Sequence, residues 1–149
     1  MIELAATIVI LASSLALFGY WFRYTCLLIL SARTTRDYAG SVAMANQLSF
    51  PEVQSVLREN ATVSLEGLKD SLHRDYKVLT YLLKHAAGAN SGDSVEKRML
   101  RIHYRLMAAW FAATRRLAPS AAYRALDEMA SVVAHFANSM GAQTAVSAA

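Results

Sequence analysis

The stretch SVEKRMLRIHYRLMAAWFAATRRLA, residues 94–118, decides the architecture, because as a helix it is apolar on too many sides to lie on a surface. At about 100° per residue, Val95, Met99, Ile102, Leu106, Ala109, Trp110, Ala113 and Leu117 form one stripe. Leu100, Tyr104, Met107 and Phe111 form a second, so apolar groups cover well over half the circumference and the helix needs partners on two sides. The remaining arc holds Lys97, Arg98, Arg101, Arg105, Arg115 and Arg116 against a single acid, Glu96. Asp93-Ser94-Val95-Glu96 has the form of a capping box at its start, and Pro119 closes it.

Amphipathic helices flank this one, with no strand-like alternation between them. Over residues 62–87, Leu65, Leu68, Leu72, Tyr76, Leu79, Leu82 and Leu83 share one arc, with Glu66, Lys69, Asp70, His73, Lys77 and Lys84 opposite. Gly88-Ala89-Asn90-Ser91-Gly92 is a turn. After Pro119, Ser120 is placed to cap a helix whose Tyr123, Leu126, Met129, Ala130, Val133, Phe136, Ala137 and Met140 share a face. Arg124, Asp127, Glu128, Ser131, His135 and Asn138 lie opposite; Gly141 is expected to end the helix, leaving 142–149 as a flexible tail. Short connections favour antiparallel neighbours, so the reading is an all-α chain whose residues 49–141 form a small antiparallel bundle with helix 94–118 at its centre. Three such helices make a marginal core, which favours self-association or support from a short helix beginning at Ser49-Phe50-Pro51-Glu52, where Ser49 caps and Glu52 reaches back.

Upstream, residues 33–48 loosen into a juxtamembrane helix or linker, with Gly40 weakening any helix. Asn60-Ala61-Thr62 has the form of a glycosylation acceptor. Residues 2–22 contain one charged side chain, Glu3, and a helix of that length rises about 30 Å, the thickness of a bilayer's hydrocarbon core. The run ends in Tyr20, Trp21, Phe22, Arg23 and Tyr24, the amphipathic rings and cation of a membrane interface. Residues 25–32 are too few to cross again and continue the helix or lie in the interface, so 1–32 reads as a single-pass transmembrane anchor with an interfacial extension. Arg23, Arg33 and Arg36 follow the apolar run, which places the N-terminus outside and the rest of the chain in the cytoplasm. A cleaved signal peptide is the competing reading, but it carries a basic n-region and a shorter apolar stretch. Cys26 lies just past the aromatic residues, as a small apolar core residue or an acylation site.

Ile2-Glu3-Leu4 ahead of an apolar helix resembles the start of a mature type IV pilin stalk, with the acid at the third rather than the fifth position. That resemblance implies pairing of Glu3 with a neighbouring subunit's N-terminal amine in a filament. The residues themselves also suit a headgroup position at a helix N-terminus.

Composition narrows the function classes. A charged fraction of 17% beside 55% hydrophobic residues excludes disorder driven by charge, and one Cys excludes an internal disulfide or a multi-Cys zinc site. No Gly-rich phosphate loop, nucleophile elbow or haem attachment motif occurs, so no cofactor is expected. The net charge of +4 favours an acidic partner or surface. The strip of Lys97, Arg98, Arg101, Arg105, Arg115 and Arg116 suits anionic lipid headgroups or an acidic protein if it is not simply solvated, whereas nucleic acid is disfavoured because interleaved aromatics are absent. Asp75 falls inside an apolar arc and His103 between two apolar stripes; as a buried pair they would begin a proton-handling or metal-binding site, and as structural hydrogen-bonding groups they would serve the core. Asp70-x-x-His73 has the spacing of a metal-binding helix pair but lies on a polar face without a second such pair.

Three functions remain in view. The first is a non-catalytic membrane protein whose bundle assembles with itself or a partner at the membrane surface. The second is an accessory subunit of a larger membrane complex, with Ala5, Ala6, Ala12, Ser13, Ser14, Ala16 and Gly19 permitting close helix packing. The third is a helical module using Asp75 and His103.

Overall fold

A computed structural model of the protein describes residues 1–32, 36–59, 63–86 and 94–148. Among the described residues there are six helices and no strand: α1 (Ile2–Ser31), α2 (Ala39–Asn46), α3 (Phe50–Arg58), α4 (Leu65–Ala86), α5 (Val95–Thr114) and α6 (Pro119–Ser147). They fall into two compact units, Met1–Arg33 and Thr34–Ala149. The turn expected at 88–92, the acceptor sequence at 60–62 and the capping residue Asp93 lie outside the described residues.

α1 is one continuous helix of 30 residues, long and apolar enough to cross a membrane. At 1.5 Å per residue it spans about 45 Å, so residues beyond Phe22 exceed a hydrocarbon core of about 30 Å. Four of its hydroxyl groups fold back on its own carbonyls: Thr7 Oγ1 donates to Glu3 O at 2.8 Å and Thr25 Oγ1 to Trp21 O at 2.8 Å. Ser13 and Ser31 do the same to Ile10 and Leu28. Satisfying such hydroxyl groups within the helix suits an apolar environment. The rings of Tyr20, Trp21 and Tyr24 pack on one another, with Tyr20 and Tyr24 stacked at 6.4 Å.

In the second unit α6, not α5, is the helix that the others surround: it packs against α2, α3, α4 and α5. The reason is the width and smoothness of its buried face. Ala122, Ala125, Leu126, Met129, Ala130, Val132, Val133, Phe136, Ala137 and Gly141 are buried and, at about 100° per residue, take up about half the circumference. Small side chains bring neighbouring backbones close, and Leu, Met, Val and Phe fill the space between. Leu68, Leu72, Tyr76, Leu79 and Leu83 of α4 and Phe50, Val53 and Leu57 of α3 complete the core.

Two helix ends differ from the sequence reading. α5 stops at Thr114, ahead of Ala118, which precedes Pro119 and lies outside the helical region (φ −144, ψ 79); the Leu117 and Ala118 N–H groups fold back on Thr114 O. α6 runs through Gly141 to Ser147 instead of stopping at the glycine. Gly141 is needed for proximity rather than for a turn: a Cβ there would lie 2.3 Å from Tyr38 Cβ. The loose 33–48 region contains α2, which ends in a Schellman motif, with the Leu48 N–H donating to Ala43 O at 2.9 Å, the Gln47 N–H to Met44 O at 3.4 Å, and Gln47 at φ 53.

Gly141→Ala therefore opposes helix propensity. Alanine favours a helix interior by about 1 kcal/mol, but the overlap with Tyr38 costs about 1–3 kcal/mol. The expected outcome is a lower thermal midpoint by circular dichroism; an unchanged or raised midpoint would show that Tyr38 moves aside at no cost.

Candidate functional site

The two stripes of α5 have different fates. Leu100, Tyr104 and Phe111, with His103 and Thr114, are buried. The other stripe is exposed: Val95, Ile102, Leu106, Trp110 (54%) and Leu117 (88%) face outward with Ala109 and Ala113 between them. Among the described residues of the second unit, only one of the two partners that the sequence asks for is therefore present.

The inner stripe is held by aromatic stacking and charge. Tyr104 lies flat against Tyr76 of α4, with ring centroids 3.9 Å apart and planes 1° from parallel, and His73 stacks at 6.4 Å. Burial, with the neighbouring Tyr76 and Asp75, pushes the Tyr104 hydroxyl well above its ordinary range, and burial raises that of Tyr76 against the pull of Arg105 and Arg101. Burial, then Lys77 and Lys69, lowers that of His73 against Asp70. The Tyr104 hydroxyl has no hydrogen-bond partner among the described residues. Two acid–imidazole contacts join α5 to α6: Glu96 Oε1 lies 2.8 Å from His135 Nε2, and His103 Nε2 lies 3.1 Å from Glu128 Oε2. The second contact is buried and lacks hydrogen-bond angles, so it acts through charge when the ring is protonated.

Asp75 and His103 are both buried, and each engages a different helix. Asp75 Oδ2 accepts the N–H groups of Ser49 (2.6 Å) and Phe50 (2.7 Å), while Arg74 Nε approaches Oδ1 at 3.7 Å. α3 thus starts at Ser49 as its sequence suggests, yet Ser49 does not cap it. The Ser49 backbone is helical (φ −94, ψ −9), and its hydroxyl accepts from Arg74 Nη2 at 2.6 Å. Burial pushes the Asp75 carboxyl above the usual range, against the two N–H donors and Arg74, which pull it down. α2 is held similarly: Tyr38 N–H donates to Asn138 Oδ1 at 2.7 Å, beside its contact with Gly141. Ser94 does cap α5, accepting the Lys97 N–H at 3.3 Å.

The basic arc of α5 is divided. Arg115 pairs with Glu66 of α4, Lys97 and Arg101 are half-buried, and Arg98, Arg105 and Arg116 are exposed beside the outward apolar stripe. Asp70 pairs with Lys69 at 3.1 Å, apart from the ring stack of His73. No cluster of three His, Cys, Asp or Glu side chains suited to a metal occurs among the described residues. Tyr20, Trp21 and Tyr24 are exposed on α1, together with Arg23. Two open clefts, of about 290 Å³ beside Glu66 and Arg115 and about 350 Å³ beside Arg58 and Asp127, have mixed charge.

Glu128, His135 and Asn138 lie on the polar face of α6 by spacing, yet Glu128 and His135 meet α5 and Asn138 accepts the Tyr38 N–H ahead of α2. The available signal is Asp75, an acid within an apolar arc, which needs a partner when buried. Comparison with protein-family models, curated proteins and solved structures gives no match.

Asp75→Ala leaves two N–H groups without an acceptor and is expected to cost about 1–3 kcal/mol, whereas Asp75→Asn retains an oxygen and costs less. Since folding raises the Asp75 pKa, the folded chain binds the proton more tightly than the unfolded one. Its contribution is fully present at the acid end and is lost as pH rises from about 4 through the raised value. The urea midpoint of the wild type should fall relative to Asp75→Asn over that interval, and parallel profiles would contradict the assignment. Tyr104→Phe removes a buried hydroxyl without a partner and should leave the midpoint unchanged or higher.

Proposed function

We propose that this chain is a non-catalytic single-pass membrane protein whose helical domain is a docking module at the membrane surface. The observation that carries the reading is the outward stripe of α5, with Val95, Ile102, Leu106 and Trp110 exposed on a domain that follows an apolar helix of membrane-spanning length. Isolated apolar residues on a surface need no explanation, but a continuous row on one helix marks an interaction site. The domain is an antiparallel bundle of three main helices, α4, α5 and α6, with α3 as the short one. Glu96–His135 and His103–Glu128 support this arrangement, because a step forward from 96 to 103 on α5 matches a step back from 135 to 128 on α6. Tyr76–Tyr104 and Glu66–Arg115 run in the same reversed sense between α4 and α5.

The N-terminus lies outside and the bundle in the cytoplasm, a topology supported by Arg23, Arg33 and Arg36 after the apolar run. The occupant of the docking face is a second copy, another membrane subunit or the membrane itself. In this reading Asp75 serves α3 and His103 serves the α5–α6 contact, and neither acts in chemistry.

The test separates docking from folding. Ile102→Glu with Leu106→Glu should leave helix content intact and stability within about 0.5 kcal/mol, as for surface positions away from special features. A photocrosslinking side chain at Trp110 should form adducts in intact membranes that the double variant abolishes, and one at Asp70 should not. Equal capture at both positions, or unfolding of the double variant, would refute a free docking face. Release of the full-length protein from membranes by alkaline carbonate would refute the anchor.

A further inference from the structure

We infer that the occupant of the outward face of α5 is an anionic lipid surface, a proposal that rests on the docking reading above and names its partner. The first observation is where the cations lie. Arg105 is exposed along one border of the apolar stripe, and exposed Arg116 follows in the turn after the helix, within about 20° of the same line. The second is the lack of acids. Glu96 is the one acidic residue of α5, and it is turned to His135 of α6, so no carboxylate of this helix meets the arginine border.

These features discriminate between occupants. A two-fold contact with a second copy presents the same face again, and α5 brings no available carboxylate to neutralise the arginines. Lipid phosphates do so, while the acyl boundary receives Ile102, Leu106 and Trp110. An apolar helix face carrying Trp and Leu beside cations is the pattern of a helix lying in a membrane interface. Tethering matters too, since α1 is long enough to hold the domain at a bilayer and make contact intramolecular. The lipid contact is a second, reversible attachment beside a permanent one, responsive to lipid charge and ionic strength.

Trp110 reports the contact. The chain has two Trp, so Trp21→Phe leaves Trp110 as the one emitter in the full-length protein reconstituted in vesicles. In equal parts phosphatidylglycerol and phosphatidylcholine, lipid brominated high on the acyl chain should quench its emission. Arg105→Glu and Arg116→Glu should each lower the equilibrium constant for the lipid-bound position about fivefold, and about 0.5 M NaCl or pure phosphatidylcholine should remove most of the quenching. Equal quenching in charged and neutral vesicles would overturn the proposal, because the arginines would then play no part. Shielding from acrylamide that grows with protein density, without quenching by brominated lipid, would also overturn it; the docking face would stand with a second copy as occupant. Full access of acrylamide to Trp110 in every vesicle would overturn both the lipid proposal and the docking reading.

Discussion

At the starts of α2 and α3 the Tyr38, Ser49 and Phe50 N–H groups are met by side chains of long helices, while Asp37 Oδ1 accepts the Ala39 N–H at 3.0 Å, and these contacts organise the second unit. A helix of eight or nine residues is unstable alone, and its free N–H groups cannot be buried without acceptors. The long helices supply them. Asp75 of α4 reaches the start of α3 and Asn138 of α6 reaches the residue before α2, so two polar side chains of long helices position two short ones. Asp75 is desolvated in doing so, and its raised pKa is the electrostatic cost of the contact.

A second constraint falls on α6. Holding α2, α3, α4 and α5 together requires a face about half the circumference wide, and only small residues among larger ones let so many backbones approach. Gly141 is the limiting case, since Tyr38 occupies the space of a Cβ. With α6 in the middle, α5 is left on the periphery. One stripe enters the core, and the other has no partner among the described residues of the second unit. The outward apolar stripe thus follows from the packing arrangement.

How much of this was legible can be judged helix by helix. The apolar arc of α4, the start of α3 at Ser49 and the two stripes of α5 follow from residue spacing, because a helix converts sequence interval directly into angle. The end of α6 is not legible in the sequence for a physical reason: a glycine has the same local effect whether it terminates a helix or admits a neighbour, and the neighbour here is distant in the chain. Glu128, His135 and Asn138 looked solvated for the same reason. A polar residue on the far side of an amphipathic pattern faces water or another helix, and periodicity does not distinguish the two.

By itself, the amino-acid sequence determined that the chain is helical, that one N-terminal helix has the length and polarity of a membrane span, and that α5 has more apolar surface than one neighbour can cover. These properties depend on residues close together in the chain. Tertiary structure decided that α6 sits among the other helices, that Asp75 holds α3 while His103 meets Glu128, and that the Val95–Ile102–Leu106–Trp110 stripe remains outside. Each of these depends on which surfaces meet across long sequence separations, and that is settled by competition for a limited buried face, which no single helix encodes.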